Sequence, residues 1–476
     1  MEQNHPTVLL IASDTIGERM AGSGIRYWNL ARVIGAKQPV TLATPNTVTL
    51  DAPLGVTVVS YGGDDGDAAQ GRRLAELIER HEIIVAQHIP FLHTDDAVLS
   101  SRHLVIDLYA PWILEKLEYA RIDPERGESD RKDDVTILNR LLQLGDFFLC
   151  ASDRQRDFWL GALASSGRLS LAHAQADSAM RTLIDIVGFG LPKGCPHKTG
   201  PGPRETFTAI GPDDPLILWN GGMWNWLDPL TAIRAVGLLA SQFPSIRLVF
   251  MGTRSPGAQV AEMSVIGAAR QLADELNLLD RNVFFNDWVP FDERQNWLLE
   301  ADATISLHVA TLEARIAFRT RMLDNLWCAV PAVVTDGDVL AELVDSEGVG
   351  ATVPPGDVGA VADALERVLD SSRSRQMRAN LSSVATRFTW EKVAAPLLAY
   401  CREPWMLDDR ASDPGTTYLR GLERLYTETA EYARRLEATV GAKDQALAEL
   451  ASRLGSQTRR KFAKPDVGTW FGRAKR

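Results

Sequence analysis

Cysteine is scarce in this chain of 476 residues, and its four cysteines lie far apart. They are Cys150, Cys195, Cys328 and Cys401. Closely spaced cysteine pairs mark zinc knuckles and disulfide frameworks, so this spacing argues against both. It fits a protein of a reducing, cytoplasmic compartment.

An excess of positive charge and long apolar runs are also missing. Lys and Arg number 51 against 62 Asp and Glu, which gives a formal net charge of -11 and no basic field for nucleic acid. No stretch approaches the about eighteen uninterrupted apolar residues of a membrane span. The first apolar run is only strand-length and follows no basic region, so we expect no signal peptide.

Short apolar runs alternate with longer helical patterns along most of the chain, which predicts an α/β fold with parallel sheets. The segment Gly188–Pro215 divides the pattern into two series, because its six glycines and six prolines cannot form regular helix or sheet. We therefore expect two doubly wound, Rossmann-like domains whose strand carboxyl ends face a common cleft. The predicted strands are Val8–Ala12, Val40–Ala43, Val56–Val59, Ile83–Ala86, Leu104–Leu108, Phe147–Ala151, Leu216–Trp219, Leu248–Met251, Val283–Phe285, Thr304–Leu307, Ala332–Thr335 and Ala351–Val353. The domains are predicted at 1–190 and 215–388, with the linker at 191–214.

Past Pro404 the pattern changes to a single long amphipathic helix over 415–456, of coiled-coil character. Polar Thr429 and charged Lys443 interrupt its apolar seam at 422–454. The seam predicts self-association or, equally, packing on the chain's own domain. The tail, 457–476, is basic and contains Phe462, Trp470 and Phe471, which suits an anionic bilayer surface or a disordered tail.

The segment Leu312–Asp338 places Arg315, Arg319 and Arg321 at the start of a helix predicted over 317–328. At the start of a helix, backbone N–H groups lack partners and the dipole is positive. Cations are unfavourable there unless an anion offsets them, and a diphosphate fits that need.

This segment, V-P-P-G-D at 353–357 and F-T-W-E-K-V at 388–393 carry a resemblance to a known family. With them the chain resembles the GT-B-fold retaining glycosyltransferases, particularly glycosyltransferase family 4. The resemblance covers about residues 7–402. It implies an enzyme that moves a sugar from a nucleotide diphosphate to an acceptor with retention of the anomeric configuration and without metal or other cofactor. It also implies an acceptor on the first domain, the nucleotide on the second, and a last helix, 389–404, that returns to the first domain. We expect a glycan or lipid-linked glycan acceptor, in bacterial surface polysaccharide synthesis.

The chain departs from the family's pattern of two glutamates with seven residues between them. Counted back from the proline of the following turn, Asp324 takes the second place and Ile316 the first, where it cannot serve. The segment F-R-T-R-M-L-D at 318–324 identifies a sub-branch. By the resemblance, Asp324 binds the nucleotide ribose, and Arg319 or Arg321 binds the leaving diphosphate in a bidentate manner.

Two places in the first domain are candidate contacts for the ligand. The loop Met20–Arg26 opens a helix, and its glycines either approach a phosphate or form a tight turn. Arg26 either reaches a phosphate or pairs with an acidic neighbour. Asp107 ends an apolar strand at the expected cleft edge, where it hydrogen-bonds a sugar, stabilises oxocarbenium charge or caps the next helix.

Strand ends supply the candidates of the second domain. The segment 219–226, W-N-G-G-M-W-N-W, predicts either a phosphate cradle or aromatic packing at the domain interface. The pair Asp336 and Asp338 resembles the metal motif of another glycosyltransferase fold, but we expect no metal. The predicted catalytic residues are Asp107, Arg319 and Arg321, and the predicted donor-binding residues are Gly22, Gly24, Arg26, Gly221, Gly222, Gly252, Arg254, Trp288, Glu313 and Asp324.

Two other functions stay open at this point. An enzyme similar to the nucleotide-sugar 2-epimerases shares the architecture. A non-catalytic subunit that binds partners through its C-terminal helix would explain the missing glutamate. In each case we expect no nucleic acid partner, and a cytoplasmic protein that associates with the inner face of the cell membrane through its tail.

Overall fold

The computed structural model describes residues 5–461 apart from 19, 64–65, 92, 122–123, 255–262, 408–409 and 411–413. The chain up to Arg410 forms one compact unit, and the chain from Ala411 onward forms a second. The predicted tail residues Phe462, Trp470 and Phe471 lie outside the described residues.

Seven parallel strands form the first sheet of the large unit, and six form its second sheet. The first sheet contains β1 (Val8–Ile11), β2 (Val40–Thr44), β3 (Val56–Ser60), β4 (Ile83–Ala86), β5 (His103–Asp107), β6 (Phe147–Cys150) and β7 (Ile184–Ile186). The second contains β8 (Leu216–Gly222), β9 (Arg247–Gly252), β10 (Val283–Phe285), β11 (Ala303–Ser306), β12 (Ala332–Thr335) and β13 (Gly350–Val353).

The strand orders are β3-β2-β1-β4-β5-β6-β7 and β10-β9-β8-β11-β12-β13. Each order reverses direction once, between β1 and β4 in the first sheet and between β8 and β11 in the second. Such switch points form crevices at the carboxyl ends of the strands, where ligands of open α/β sheets bind. The central strands are buried along their whole length, because helices cover both faces.

Helices connect the strands of both sheets. Those up to the second sheet are α1 (Gly22–Gly35), α2 (Asp67–Glu79), α3 (Asp96–Ser100), α4 (Trp112–Ala120), α5 (Pro124–Leu144), α6 (Asp153–Ser165), α7 (Leu171–Ala176) and α8 (Pro203–Thr206). The next are α9 (Pro229–Ala240), α10 (Ser264–Glu275), a 3-10 turn at Phe291–Glu293, α11 (Arg294–Leu298), α12 (Leu312–Ile316), α13 (Arg321–Cys328), α14 (Val339–Glu347) and α15 (Val358–Leu369). The last are α16 (Ser371–Ala385), α17 (Trp390–Val393), α18 (Ala395–Arg402) and α19 (Pro414–Lys461).

The predicted α/β fold with two Rossmann-like sheets is confirmed, and every strand predicted from the sequence is present. Only β7 was missed, because its three residues, Ile-Asp-Ile, are too short to stand out as an apolar run. The linker contains a single helical turn, α8. After the second sheet, Tyr400 of α18 stacks on Phe147 of β6 at a centroid separation of 5.1 Å, so the chain returns to the first domain.

The helix predicted over 317–328 is shorter than expected: α13 begins at Arg321 and ends, as predicted, at Cys328. The chain forms two short helices, α12 and α13, and the residue after α12, Ala317, is extended with φ -63° and ψ 149°. Thr311 caps α12 by accepting a hydrogen bond from the N–H of Ala314 at 3.1 Å. Arg315 consequently lies at the end of α12 with an exposed side chain, and only Arg319 and Arg321 lie at the start of α13.

The second unit consists of α19, which spans 48 residues. Its described apolar seam is solvent-exposed: the exposed fractions of Leu425, Tyr432 and Leu447 are 67%, 64% and 65%. The side chains of Leu422 and Leu454 lie outside the described part of the chain. Within the described residues, every helix is too short or too polar to span a bilayer.

Candidate functional site

Arg321 reaches from the first turn of α13 to the end of β8. Its Nη2 donates a hydrogen bond to the carbonyl oxygen of Gly222 at 3.0 Å, and its guanidinium lies 5.8 Å from the ring centroid of Trp219. Its Nη1 is buried and has no hydrogen-bond partner. No described carboxylate lies within 4.0 Å of this guanidinium.

Desolvation lowers the pKa of Arg321 to about 9, with a smaller contribution from the positive charge of Arg319. The side chain therefore remains charged at neutral pH. A half-buried cation that has a buried Nη1 and no counter-ion is costly, so this place in the fold favours the entry of an anion.

Two residues at the end of β8 shape the space in front of Arg321. Gly221 has φ +148°, and a Cβ there would lie 3.2 Å from Cζ of Arg321. Asn220 donates from Nδ2 to the carbonyl oxygen of Arg321 and to Oδ1 of Asn325, both at 2.9 Å. Its own Oδ1 is buried without a partner. The strand end thus holds α13 in place and leaves one acceptor and one donor unused.

Arg319 is held by Glu313 of α12 through two parallel hydrogen bonds. Nη1 donates to Oε1 at 3.1 Å and Nη2 to Oε2 at 2.7 Å. The exposed fractions of the two side chains are 11% and 2%. Glu313 thus compensates the charge of Arg319, whose Nε is buried and unpartnered and remains available to another group.

Asp324 already has a cationic partner. Its Oδ1 accepts a hydrogen bond from Nε of Arg294 at 3.0 Å, and Arg294 in turn lies over the rings of Phe291 and Trp327 at 3.7 and 4.9 Å. The side chain of Asp324 is 27% exposed, so it remains open on one side. A cavity of about 420 Å³ is lined by Arg294 and by Trp28 of the first domain, but not by Asp324.

The next strand, β9, ends at Gly252, which lies against the ring of Trp288. A Cβ added to Gly252 would lie 3.0 Å from Cε3 of Trp288. Nε1 of Trp288 is buried without a partner. Arg254, by contrast, forms a surface pair with Asp287 at 3.4 Å and is 79% exposed. Gly252 and Trp288 therefore face one space at the sheet edge, whereas Arg254 turns outward.

Arg26 and Asp107 pair with each other in the structure. Arg26 therefore binds an acidic neighbour, one of the two alternatives that the sequence left open for it. Arg26 donates from Nε to Oδ2 at 2.7 Å and from Nη2 to Oδ1 at 2.9 Å, and its Nη1 bonds the carbonyl oxygen of Gly188 at 2.8 Å. Both side chains are 0% exposed. The expected direct contacts, of Asp107 with a sugar and of Arg26 with a phosphate, do not match this geometry, because each charge is compensated by the other.

The start of α1 is a close-packed glycine turn. A Cβ on Gly24 would lie 2.5 Å from the carbonyl oxygen of Thr15, and one on Gly22 would lie 3.2 Å from the hydroxyl of Tyr109. The turn itself therefore requires these glycines, whichever ligand lies in front of it. The N-cap residue, Ala21, supplies no side-chain bond, so the first N–H groups of this helix lack a side-chain partner.

Contacts between the domains involve residues that the sequence analysis missed. At the start of α6, Arg154 donates to the carbonyl oxygen of Arg315 at 2.9 Å, and Gln155 donates to that of Ile316 at 3.1 Å. Helix α4 packs against α12 from the same side. Arg154 also pairs with the carboxylate of Glu342. The sequence Asp-Arg-Gln at a helix start does not predict this role, because most of these partners are backbone oxygens of the other domain.

The two aspartates of the segment 336–338 lie in different environments, one at a helix cap and one in solvent. Asp338 caps α14, where its Oδ1 accepts from the N–H groups of Leu340 and Ala341 at 2.8 and 2.7 Å. Asp336 is exposed. Among the described residues, no three His, Cys, Asp or Glu side chains are placed to share a metal ion.

Comparison with known proteins gives a family match over part of the chain and a fold for the large unit. Residues 214–371 match the model of the family described as glycosyl transferases group 1. The chain is 29% identical over 240 residues to the D-inositol 3-phosphate glycosyltransferase of Mycolicibacterium smegmatis, a match over 50% of this chain and 51% of that protein. The matched region thus spans about half the length of this relative.

Solved structures match far more of the chain. The sucrose-phosphate synthase of Thermosynechococcus elongatus has a TM-score of 0.56 and 16% identity, with 84% of this chain and 98% of that chain covered. Anabaena HepE in complex with UDP and glucose has a TM-score of 0.57 and 16% identity, with coverage of 83% and 99%. The large unit therefore has the GT-B fold, in which two Rossmann-like domains face each other.

Proposed function

We propose that the protein is a retaining glycosyltransferase of family 4 that moves a sugar from a nucleotide diphosphate to a glycan or lipid-linked glycan acceptor. The observation that carries the proposal is Arg321. It is a guanidinium with a buried, unpartnered Nη1, at the switch point of the second sheet, beside a glycine turn. The family match over 214–371 contains this whole site.

The chemistry follows from the charges that the reaction develops. Cleavage of the glycosidic bond builds negative charge on the leaving diphosphate, and a guanidinium already aimed at that charge stabilises the transition state. Arg321 supplies this cation, with Nε of Arg319 as a second donor. The N–H groups of the glycine turn at 221–222 and of the start of α1 lie at the two strand switch points and bind the same phosphates from either domain.

Two further residues of the second domain are placed to contact the nucleoside part of the donor. Asp324 binds the ribose hydroxyl groups with its exposed oxygen while Arg294 orients it, and Trp288 lies over Gly252 beside the base. Asp107 acts through Arg26, because neither of these two side chains is exposed. Contacts of Arg154 and Gln155 with the segment 315–316 hold the domains together and exclude water from the sugar.

A panel of nucleotide-sugars tests the proposal. The purified protein is incubated with UDP-, GDP-, ADP- and dTDP-sugars, with and without glycan or lipid-linked acceptors, and products are detected by mass shift. Acceptor-dependent release of one nucleoside diphosphate, with the anomeric configuration preserved in the product, is expected. Donor conversion without an acceptor would instead indicate a 2-epimerase-like enzyme, and no binding of any donor would indicate a non-catalytic subunit.

Self-association and the cellular location of the enzyme are part of the proposed function. The exposed seam of α19 supports self-association, and the basic residues beyond it favour the anionic inner face of the cell membrane, where lipid-linked acceptors of surface polysaccharides lie. We propose a cytoplasmic, peripheral enzyme without a metal requirement. Turnover in excess EDTA would agree with metal independence, and loss of turnover that Mg²⁺ or Mn²⁺ restores would contradict it.

A further inference from the structure

The cavity of about 420 Å³ lies where the first domain, the linker and the second domain meet. Trp28 and Arg32 of α1, Lys193 and Cys195 of the linker and Arg294 of α11 are among the residues that line it. Among the described residues, none of those predicted to bind the donor lines it. Its volume falls in the range of about 300 to 1,000 Å³ that is usual for small-molecule sites, which often lie between domains.

Three aromatic side chains give the cavity apolar walls. Trp28, Phe291 and Trp327 pack against the hydrophobic core, stay partly exposed and line the cavity. Trp327 is held by a hydrogen bond from its Nε1 to the carbonyl oxygen of Gly194 in the linker at 3.1 Å. The N–H of Phe291 donates to the carbonyl oxygen of Glu18 in the first domain at 3.3 Å. These walls are therefore preformed for an aromatic or aliphatic body.

The charge that faces the cavity is mostly positive. The Lys, Arg, Asp and Glu side chains that line it are Arg32, Lys193, Arg294 and Asp292. Asp292 is exposed, so solvent screens its charge. Glu391 contacts Arg32 and Lys193 through the same oxygen, at 3.8 and 3.1 Å, but does not line the cavity. An anion in the cavity consequently meets more cations than carboxylates.

Arg294 is the buried cation of this site. Its side chain is only 8% exposed. Its Nε donates to Oδ1 of Asp324 at 3.0 Å, and its Nη1 donates to the carbonyl oxygen of Phe291 at 2.6 Å. Its Nη2 has no hydrogen-bond partner among the described residues. Since Arg294 lines the cavity, Nη2 is the donor that its present contacts leave for an anion there.

We propose that this cavity, the linker pocket, is a second ligand site that takes a small amphipathic organic anion. The aromatic or aliphatic body of the ligand lies against the three aromatic side chains, and its one acidic group binds the cations. A ligand bound there touches both domains and the linker, so it stabilises the arrangement in which they enclose it. The inference goes beyond the proposed function and does not depend on it, because no donor has to bind.

Anilinonaphthalene sulfonate is the probe, since it joins an aromatic body to one sulfonate. Phenylnaphthylamine, which lacks the sulfonate, is its neutral counterpart. Both are titrated by fluorescence into the full-length chain. Cys195 gives a readout at the site itself, because it lines the cavity and is exposed, whereas the other three cysteines are buried. Alkylation of Cys195 by a maleimide is followed by mass spectrometry with and without the probe, and glutathione controls for any effect on the reagent.

Two variants remove the cations of the rim and keep their apolar stems, Arg32→Met and Lys193→Met. Arg80→Met is the matched control, because Arg80 also pairs loosely with one glutamate, Glu76, at 3.9 Å, and lies outside the cavity. The sulfonate probe is expected to bind the wild-type chain about tenfold more tightly than the neutral probe. It is also expected to slow the alkylation of Cys195. Each rim variant should reduce this preference, and the control should keep it.

A preference for the sulfonate probe, together with protection of Cys195 and a loss of both in the rim variants, supports the inference. Equal affinity for the two probes overturns it, and so does binding of the sulfonate probe that leaves the alkylation of Cys195 unchanged. Rim variants that bind as the wild-type chain does overturn it as well. The two rim residues lie on different segments, so a lowered melting temperature in one variant leaves the other to decide.

Discussion

Glu313 binds Arg319 with both of its carboxylate oxygens, at 3.1 and 2.7 Å, whereas Arg321, two residues further on, has no described carboxylate partner. The two arginines of the F-R-T-R segment consequently differ in their electrostatic environment. The Glu313–Arg319 pair is electrically compensated and fixes the start of α13. Arg321 keeps its charge and an unused donor, and the leaving diphosphate is proposed to bind there.

Replacing Asp107 with Asn is expected to destabilise the first domain by about 3 kcal/mol, because it leaves the buried Arg26 without its counter-ion. Urea unfolding followed by circular dichroism measures the loss. A double variant, Arg26→Met with Asp107→Leu, is expected to regain part of it. If Asp107→Asn is fully stable yet inactive, Asp107 acts directly in the chemistry instead.

Replacing Gly221 with Ala is expected to weaken nucleoside diphosphate binding about tenfold, because the new Cβ lies 3.2 Å from Cζ of Arg321 and displaces it. Strain at φ +148° adds a loss of stability of about 1 to 3 kcal/mol. Gly167→Ala is the matched control, since Gly167 has φ +75° with no atom near its Cβ position. The control should lose stability and keep its affinity; equal affinity in both variants would separate Gly221 from the site.

Burial raises the pKa of Glu115, in the first turn of α4, to about 7, and this predicts a pH-dependent stability of the ligand-free chain. Because the folded pKa of about 7 exceeds the unfolded value of 4.5, the contribution is fully present below pH 4.5 and is lost as the pH rises through 7. The loss relative to Glu115→Gln is on the order of 2 to 3 kcal/mol. Urea unfolding of both chains at a series of pH values measures it, and parallel stability curves for the two chains would show that Glu115 is not buried in its neutral form.

The basic aromatic tail predicts membrane recruitment. Full-length protein is expected to float with vesicles that contain anionic lipid, and a chain of residues 1–455 is not, because the cations and interfacial aromatics lie beyond that point. Vesicles of neutral lipid are the control, and high salt should release the full-length protein. Equal flotation of both chains on anionic vesicles would remove this role from the tail.

The strands and the two-domain fold could be predicted from the sequence because buried parallel strands appear as short apolar runs between helical patterns. The glycine turn at the end of β8 and the position of Arg321 at the start of α13 were also predictable, since a strand end and a helix start can be recognised in the sequence. The pairing of Arg26 with Asp107, 81 positions apart, was not, because it depends on the packing of α1 against β5. Arg154 and Gln155 escaped prediction for the same reason, as their partners belong to the other domain.

The most direct test of the central claim is calorimetric titration of Arg321→Ala with the nucleoside diphosphate that binds the wild-type chain. Loss of the unpaired guanidinium is expected to weaken binding about a hundredfold with little change in melting temperature. Arg234→Ala, which removes an exposed arginine of α9, is the matched control and should bind as the wild-type chain does. Wild-type affinity in Arg321→Ala would contradict the assignment of Arg321 as the diphosphate anchor.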